Sequence, residues 1–250
     1  MNPCIDAVLR EVADPAQIAS ISHYSQDARA TSVPLDWAKR YPANSGTAEE
    51  VIAAAPDLVL TGPHVSLQTA DALRRLGIPL VQVGVPDSID GNLQQIAEIA
   101  QHIGRPKQGA ALSARISAAL DRSAWHGRAV SAVIWQGSGL VPGQGTLADT
   151  LLTHAGFTNA AQALGLKQWD ILPLEELLAH PPAMVLAGVA NMGTDAGDAN
   201  RMLGHPALRK ARGQIRVADF PSSLLHCGGP VLIPTLERLA AIRQTAERQP

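Results

Sequence analysis

The chain has few cysteines, few aromatic residues and few charges for its 250 residues. Two cysteines do not make a disulfide framework and do not match a zinc-binding spacing. The sequence leaves open whether Cys4 and Cys227 form one disulfide, and two unpaired thiols are the favoured expectation. The net charge of −2 argues against a basic surface for nucleic acid. No run of 18 apolar residues occurs, so we expect no transmembrane helix.

The first residues, Met1 to Asp6, have neither the basic stretch nor the apolar run of a signal peptide. They predict either a cytosolic protein or one from which a leader has been removed. Apolar residues make up 46% of the chain, which is enough for a packed core.

Helical and strand patterns alternate along the sequence, which is typical of α/β proteins. Residues 18–21 and 130–135 predict the strands that open two halves. Residues 106–123 predict a helix about 27 Å long at 1.5 Å per residue, because no Gly or Pro follows Gly109. This length is sufficient to connect two compact halves, although an ordinary surface helix has the same pattern.

An internal repeat relates the two halves. Residues 49–62 read EEVIAAAPDLVLTG, residues 175–188 read EELLAHPPAMVLAG, and seven of the 14 positions are identical. A second similarity relates residues 72–74 to 207–209, and the extra residues of the second copy fall in the polar loop 193–200. Two copies indicate two related lobes rather than a solenoid.

Each copy of the repeat predicts a short helix followed by a buried strand. Thr47 can cap the helix, and Glu50 three residues later completes a capping box. The helix must end before Pro56, because proline disfavours the α conformation in the preceding residue. The strand ends at Gly62 in the first copy and Gly188 in the second. In α/β sheets, ligands bind beyond the carboxyl ends of such strands.

The order of these motifs resembles the periplasmic substrate-binding proteins of ABC importers, in the class that carries ferric siderophores, haem and cobalamin. The matching segments are 47–60, 76–79, 143–156 with Asn159, 175–178 and 228–230.

The resemblance implies an α/β fold of two Rossmann-like lobes joined by a single long α-helix, with the ligand cleft between the lobes. The expected boundaries are 1–104 for the N-terminal lobe, 105–124 for the helix and 125–250 for the C-terminal lobe. The implied protein is a monomeric periplasmic receptor, not an enzyme and without a cofactor. It captures a metal chelate or corrinoid and delivers it to an ABC permease dimer.

The resemblance also implies two permease-docking glutamates, Glu49 and Glu175, one at the start of each repeated helix. Exposed carboxylates there can form bidentate pairs with arginines of a two-fold transporter. The alternative is that both glutamates only favour the helix dipole.

Loops at the strand ends are expected to line the cleft. The candidate ligand-binding residues are Cys4, His23, Tyr24, Asn44 and His64 in the N-terminal lobe, and Trp135, Gln136, Trp169, Leu225 and His226 in the C-terminal lobe. Trp169 occupies a polar loop where the resemblance implies a ligand-stacking aromatic, and a flat aromatic suits a macrocycle. Trp135 ends a strand and fits a core role equally well.

Three of the histidines, His23, His64 and His226, fall on these loops and could together coordinate the metal of a bound chelate. A direct zinc or manganese site of the related class is the less favoured alternative, because the expected order of three histidines and a carboxylate is absent. The loops also lack an arginine cluster, which argues against a highly anionic catecholate siderophore.

A nucleotide-dependent or hydrolytic enzyme is the remaining alternative. Residues 137–145 are glycine-rich after a strand, but Pro142 occupies the third glycine of G-x-G-x-x-G and no P-loop lysine follows. Neither G-x-S-x-G nor H-E-x-x-H is present. The sequence therefore favours a receptor over an enzyme or a non-transport protein of the same fold.

Overall fold

The structure is a computed structural model that describes residues 1–136, 139–188, 205–210 and 213–248. The predictions that involve Gly137 and the loop 193–200 lie outside the described residues. The helices are α1 (Pro3–Val12), α2 (Leu35–Ala38), α3 (Ala48–Ala53), α4 (Leu67–Arg75), α5 (Ile89–His102), α6 (Pro106–Ser123), α7 (Leu147–His154), α8 (Ala160–Ala163), α9 (Leu174–Ala179), α10 (Pro206–Lys210) and α11 (Leu232–Arg248). The strands are β1 (Ile21–Ser22), β2 (Ala43–Asn44), β3 (Val59–Thr61), β4 (Leu80–Gln82), β5 (Val130–Ile134), β6 (Leu140–Pro142), β7 (Phe157–Asn159), β8 (Trp169–Ile171), β9 (Met184–Ala187) and β10 (Arg216–Asp219).

The chain divides into two compact units. Unit 1 comprises Met1–Ala118 with His226–Leu232, and unit 2 comprises Ala119–Leu225 with Ile233–Pro250. The predicted α/β class with two units is confirmed. The first boundary falls inside α6, whose predicted bounds of 106 and 123 match the structure.

The segment His226–Leu232 belongs to unit 1, although it lies within the predicted range of the C-terminal lobe. The chain therefore passes from one unit to the other at three places, one of which lies in α6, and the single connecting helix stays a prediction. A disulfide joins Cys227 to Cys4, with an S–S distance of 2.15 Å, so the expectation of two unpaired thiols is wrong. The backbone N–H of Gly229 donates to Oδ1 of Asn92 at 2.6 Å, which further fixes the segment to unit 1.

Unit 1 contains two short parallel strand pairs. β1 pairs with β2, and β3 pairs with β4. Residues 18–20 do not continue β1, because Ile18 ends a short 3₁₀ helix. Helices α3 and α4 cover β3 and β4 through a core of Val51, Val59 and Leu73.

Unit 2 contains a four-stranded parallel sheet in the order β10-β9-β5-β7. Strand β9 is buried at all four residues, as expected for a parallel strand covered on both faces. A second, antiparallel pair is formed by β6 and β8. It adjoins the carboxyl end of β5, where the N–H of Gln136 donates to the backbone oxygen of Leu140 at 2.8 Å.

The repeated helix and strand occur in both units as predicted. Oγ1 of Thr47 accepts from the N–H of Glu50 at the start of α3, and Pro173 occupies the N-cap position of α9. Each helix ends before the proline, and β3 and β9 end one residue before Gly62 and Gly188. The duplication in sequence is therefore a duplication of structure.

Candidate ligand-binding surfaces

His23 and Asn44 meet at the carboxyl ends of β1 and β2. Nδ1 of His23 lies 3.2 Å from the backbone oxygen of Asn44. The ring of His23 also contacts the ring of Tyr24, with centroids 4.0 Å apart. Donation from Nδ1 to this carbonyl requires the tautomer in which Nε2 is an acceptor. The exposed imidazole can therefore offer Nε2 to a ligand.

The side chain of Asn44 is buried and donates hydrogen bonds to residues at the start of β1 and just before it. Its Nδ2 donates to Oγ of Ser20 at 2.9 Å and to the backbone oxygen of Ile21 at 3.0 Å. Contact between the Asn44 side chain and a ligand stays a prediction. The backbone oxygen of Asn44, rather than its side chain, orients His23.

A buried carboxylate, Asp6, fixes the chain beneath His23. Its Oδ2 accepts from the N–H of Ser22 at 2.8 Å and from Oγ of Ser25 at 2.7 Å. Burial raises the pKa of Asp6 to about 6, and the two hydrogen bonds oppose the rise. These contacts hold the turn that follows β1.

Large apolar side chains are exposed after three strands of unit 1. Tyr24 follows β1 and is 51% exposed, Leu67 follows β3 and is 83% exposed, and Val85 follows β4 and is 74% exposed. His64 is also exposed in the loop after β3. All three follow strands of an α/β unit, and in α/β sheets ligands bind beyond the carboxyl ends of the strands.

Cys4 and His226 lie at the disulfide. Because Sγ of Cys4 is bonded to Sγ of Cys227, Cys4 cannot act as a thiolate ligand. His226 is exposed next to this bond.

Unit 2 exposes Trp169 and Ile171 on β8. Trp169 is 44% exposed and pairs with Pro142 of β6, whereas Ile171 is 50% exposed and pairs with Leu140. Because β6 and β8 form a two-stranded ladder, both side chains are held by backbone hydrogen bonds rather than by a free loop. The surface position predicted for Trp169 is confirmed; its contact with a ligand stays a prediction.

Trp135 belongs to the core of unit 2. It is 2% exposed and packs with Val133, Leu172 and Leu177, so the core role is the one that the structure supports. The ring of Trp135 is almost completely buried, and its contact with a ligand stays a prediction. Gln136 and Leu225 are half-buried at the ends of their segments.

Glu49 and Glu175 occupy equivalent places in the two units. Each lies in the first turn of its helix and is exposed. Glu50 differs, because its Oε2 accepts from the N–H and Oγ of Ser45, both at 2.6 Å, which lowers the pKa of this carboxyl. This contact replaces the predicted return bond to the cap, so only the Thr47 half of the capping box forms.

The three candidate histidines do not form a metal centre together. Among the described residues, no group of three or more His, Cys, Asp or Glu side chains is placed to hold a metal ion. His23, with its Nδ1 oriented by a carbonyl, is the histidine whose geometry suits a single bond to a metal that a chelate already holds.

Sequence reasoning missed Leu67, Val85 and Ile171. For Leu67 the available signal was an apolar residue directly after a helix-capping serine, Ser66, in the segment that follows β3. None of the described helices has the length and apolarity that crossing a membrane requires.

Several solved structures of periplasmic binding proteins are similar to this chain. The periplasmic heme-binding protein RhuT from Roseiflexus sp. RS-1 in apo form is 22% identical, with a TM-score of 0.74 and coverage of 97% of both chains. The periplasmic heme-binding protein BhuT, in complex with two hemes, is 21% identical, with a TM-score of 0.75 and coverage of 98% of this chain and 96% of that one. The periplasmic vitamin B12 binding protein BtuF of Vibrio cholerae is 14% identical, with a TM-score of 0.70 and coverage of 100% and 96%.

At these identities the structural similarity establishes the fold. No protein of curated function matches the sequence. A family sequence profile described as periplasmic binding protein, however, matches residues 1–212, which is most of the chain. This chain therefore belongs to the periplasmic binding protein family.

Proposed function

We propose that this protein is an extracytoplasmic receptor that captures a planar metal chelate or corrinoid and delivers it to an ABC permease. The observation that carries the proposal is the set of exposed, uncharged side chains at strand ends: Tyr24, Leu67 and Val85 in unit 1, and Trp169 and Ile171 in unit 2. Rings and aliphatic groups of this kind bury the face of a macrocycle at little electrostatic cost.

The chemistry of these side chains favours a macrocycle over an anionic catecholate chelate. A catecholate complex requires cationic contacts, and none of the five side chains supplies a cation. A haem or corrinoid instead presents a flat apolar face with a metal at its centre. The similarity of the fold to the heme-binding protein BhuT and the vitamin B12 binding protein BtuF supports this choice.

The disulfide between Cys4 and Cys227 supports an extracytoplasmic location. Structural disulfides persist in oxidising compartments such as the periplasm and are rare in the cytosol.

A thermal-shift panel tests the proposal. The probes are cobalamin, cobinamide, Fe(III) protoporphyrin IX, metal-free protoporphyrin IX and a ferric tris-catecholate, each against the 250-residue chain. A macrocycle at 100 times its Kd stabilises by about 2.7 kcal/mol, which raises Tm by roughly 5–10 °C. A response to the catecholate alone, or to no macrocycle, contradicts the proposal, and a response to free Zn²⁺ or Mn²⁺ alone favours the direct metal-binding alternative.

A further inference from the structure

A short loop of unit 1, residues 44–47, connects the candidate ligand surface to the helix that carries Glu49. The loop begins at Asn44, the last residue of β2, and ends at Thr47, the N-cap of α3. Glu49, the expected permease-docking residue, is in the first turn of this helix. The orientation of Glu49 therefore depends on the conformation of the loop.

The helix α3 is too short to be stable by itself. It has six residues, whereas isolated helices of fewer than about 12 residues are marginal in water. Val51 packs one side of α3 on the core of unit 1. The first turn is held by the loop, because Oε2 of Glu50 accepts from the N–H and from Oγ of Ser45, both at 2.6 Å. These two bonds are shorter than the cap bond, in which the N–H of Glu50 lies 3.4 Å from Oγ1 of Thr47.

Two elements that carry candidate ligand contacts donate hydrogen bonds to the same loop. Nδ1 of His23 donates to the backbone oxygen of Asn44 at 3.2 Å, which leaves Nε2 of this exposed ring available to a metal. Oγ1 of Thr69 donates to the backbone oxygen of Gly46 at 3.0 Å. Thr69 is buried in the first turn of α4, the helix that begins at the exposed Leu67. The loop is thus bonded to His23 and α4 on one side and to α3 on the other.

A metal bound at Nε2 strengthens the bond that His23 makes to the loop. The metal withdraws electron density from the imidazole, so the N–H on the other nitrogen becomes a better donor, and the carbonyl that accepts from it fixes the ring. This carbonyl belongs to Asn44, the residue directly before Ser45. A tighter bond at Asn44 restricts the backbone at Ser45, and with it the two hydrogen bonds that hold Glu50.

The repeat shows that this connection is particular to unit 1. The alignment that pairs Glu49 with Glu175 also pairs Ser45 with Ile171. An isoleucine side chain cannot donate a hydrogen bond to a glutamate, and Pro173 caps α9 without a side-chain hydrogen bond. The start of α9 is therefore a natural control for the start of α3.

We propose that loop 44–47 couples metal ligation by His23 to the order of the first turn of α3. This inference rests on the receptor function proposed above. Coupling requires an element with two states that both sites bias, and a six-residue helix held by one loop is such an element. In the empty receptor the first turn opens and closes, whereas in the loaded receptor it stays closed and holds Glu49 in one orientation. Ser45 and Glu50 are positioning residues for Glu49, and the permease meets an ordered α3 only when cargo is bound.

Amide hydrogen exchange in the ligand-free protein tests the contact between loop and helix. Glu50→Ala removes both bonds to Ser45 and should speed exchange at residues 48–53 by about fivefold or more, which is the lower end of typical coupling. Glu50→Gln keeps an oxygen that accepts from Ser45 and should retain the wild-type rate. Glu176→Ala is the matched control in α9 and should leave residues 48–53 unchanged. Equal rates in wild type and Glu50→Ala would overturn the proposal.

Four macrocycles test the dependence on the metal. Fe(III) protoporphyrin IX and cobinamide have an axial position that a histidine can take, whereas metal-free protoporphyrin IX and cyanocobalamin, whose two axial positions are filled, do not. At saturation, established by titration, the first two should slow exchange at residues 45–53 of the wild type by about fivefold or more. They should not slow it in His23→Ala or in Glu50→Ala.

The outcomes distinguish this proposal from the receptor function. If a macrocycle with an open axial position binds without slowing exchange at residues 45–53, the coupling is overturned and the receptor function is retained. The same holds if the two control macrocycles slow exchange equally, or if only the controls bind. If none of the four macrocycles binds, the receptor function is overturned and the coupling with it.

Discussion

Among single residues, Trp169 offers the most direct test of ligand contact, because it is the large aromatic that unit 2 exposes on a hydrogen-bonded strand. We predict that Trp169→Ala weakens binding of the best macrocycle by about 1–3 kcal/mol, as for a typical aromatic anchor. Isothermal titration with wild type and variant measures the change. Leu76→Ala is the control, since Leu76 is 57% exposed but precedes β4 instead of following it. An unchanged Kd for the Trp169 variant would remove this residue from the site.

The buried Asp6 makes stability depend on pH. Its pKa rises to about 6 in the folded protein because of burial, and an unfolded Asp titrates near 3.9. Between these values the folded state holds a proton that the unfolded state releases. The contribution of Asp6 to stability is therefore complete below pH 4, falls as pH rises to 6, and is constant above that.

Urea unfolding of wild type and Asp6→Asn at pH 4, 5, 6 and 7 tests this expectation. The variant has no carboxyl at position 6 to titrate. The difference in free energy of unfolding, variant minus wild type, should therefore increase by about 2–3 kcal/mol from pH 4 to pH 7. The difference at a single pH includes the altered hydrogen bonds to Ser22 and Ser25; only the trend with pH reports the carboxyl. A constant difference across the four pH values contradicts the raised pKa.

Residue roles were predictable from sequence only where the pattern distinguished surface from core. Trp169 stands among Lys167, Gln168 and Asp170, and its exposure follows from that polar setting. Trp135 directly follows the central strand β5, and whether its ring turns inward depends on the packing of residues distant in sequence, such as Leu177. The pairing of the two cysteines likewise depends on tertiary contacts 223 residues apart.

At the scale of whole elements, the first turns of α3 and α9 correspond to each other in the repeat, and each carries two glutamates. We predict that Glu49→Ala with Glu175→Ala abolishes uptake of the ligand in cells and leaves its Kd in solution unchanged, because rim charges set orientation and association more than affinity. Uptake of radiolabelled ligand and titration of the purified protein give the two readouts.

The matched control for this pair is Glu50→Gln with Glu176→Gln, one residue further along each helix. This control should keep uptake, since Glu50 is bound to Ser45. Normal uptake by the Glu49 and Glu175 double variant would refute the docking assignment.

Element positions were predicted best where local signals agreed. In each repeat, the start of the helix, the proline that follows it and the glycine after the strand predict the bounds of α3 and β3, and of α9 and β9. The bounds of α6 follow from an uninterrupted helical pattern. The predicted start of β1 was wrong, because residues 18–20 are apolar or small but come between β1 and a 3₁₀ helix, Pro15–Gln17, that ends at Ile18. Two-residue strands carry too little periodicity for sequence to locate them.

For the molecule as a whole, the disulfide is the covalent link between its first helix and residue 227. Removing a native disulfide commonly costs about 2–5 kcal/mol. We therefore predict that Cys4→Ser with Cys227→Ser lowers the free energy of unfolding by that amount in urea titration. Dithiothreitol should lower the stability of wild type similarly and should not affect the double variant. Two titratable thiols in the oxidised wild type would contradict the bond.

The overall architecture was predictable because the duplication and the order of weak motifs constrain the fold together. The ligand was not, since the exposed side chains that would select it, such as Leu67 and Val85, follow no pattern that the fold requires.

One consequence follows from the membership of residues 226–232 in unit 1. As the polypeptide emerges from a ribosome or a translocation pore, its N-terminal half cannot reach its final packed form until about nine-tenths of the chain has appeared. Only then can Cys227 form its disulfide with Cys4, and Gly229 its hydrogen bond with Asn92. A nascent chain arrested before this point should still be sensitive to proteases in its first hundred residues, whereas one released after it should resist them.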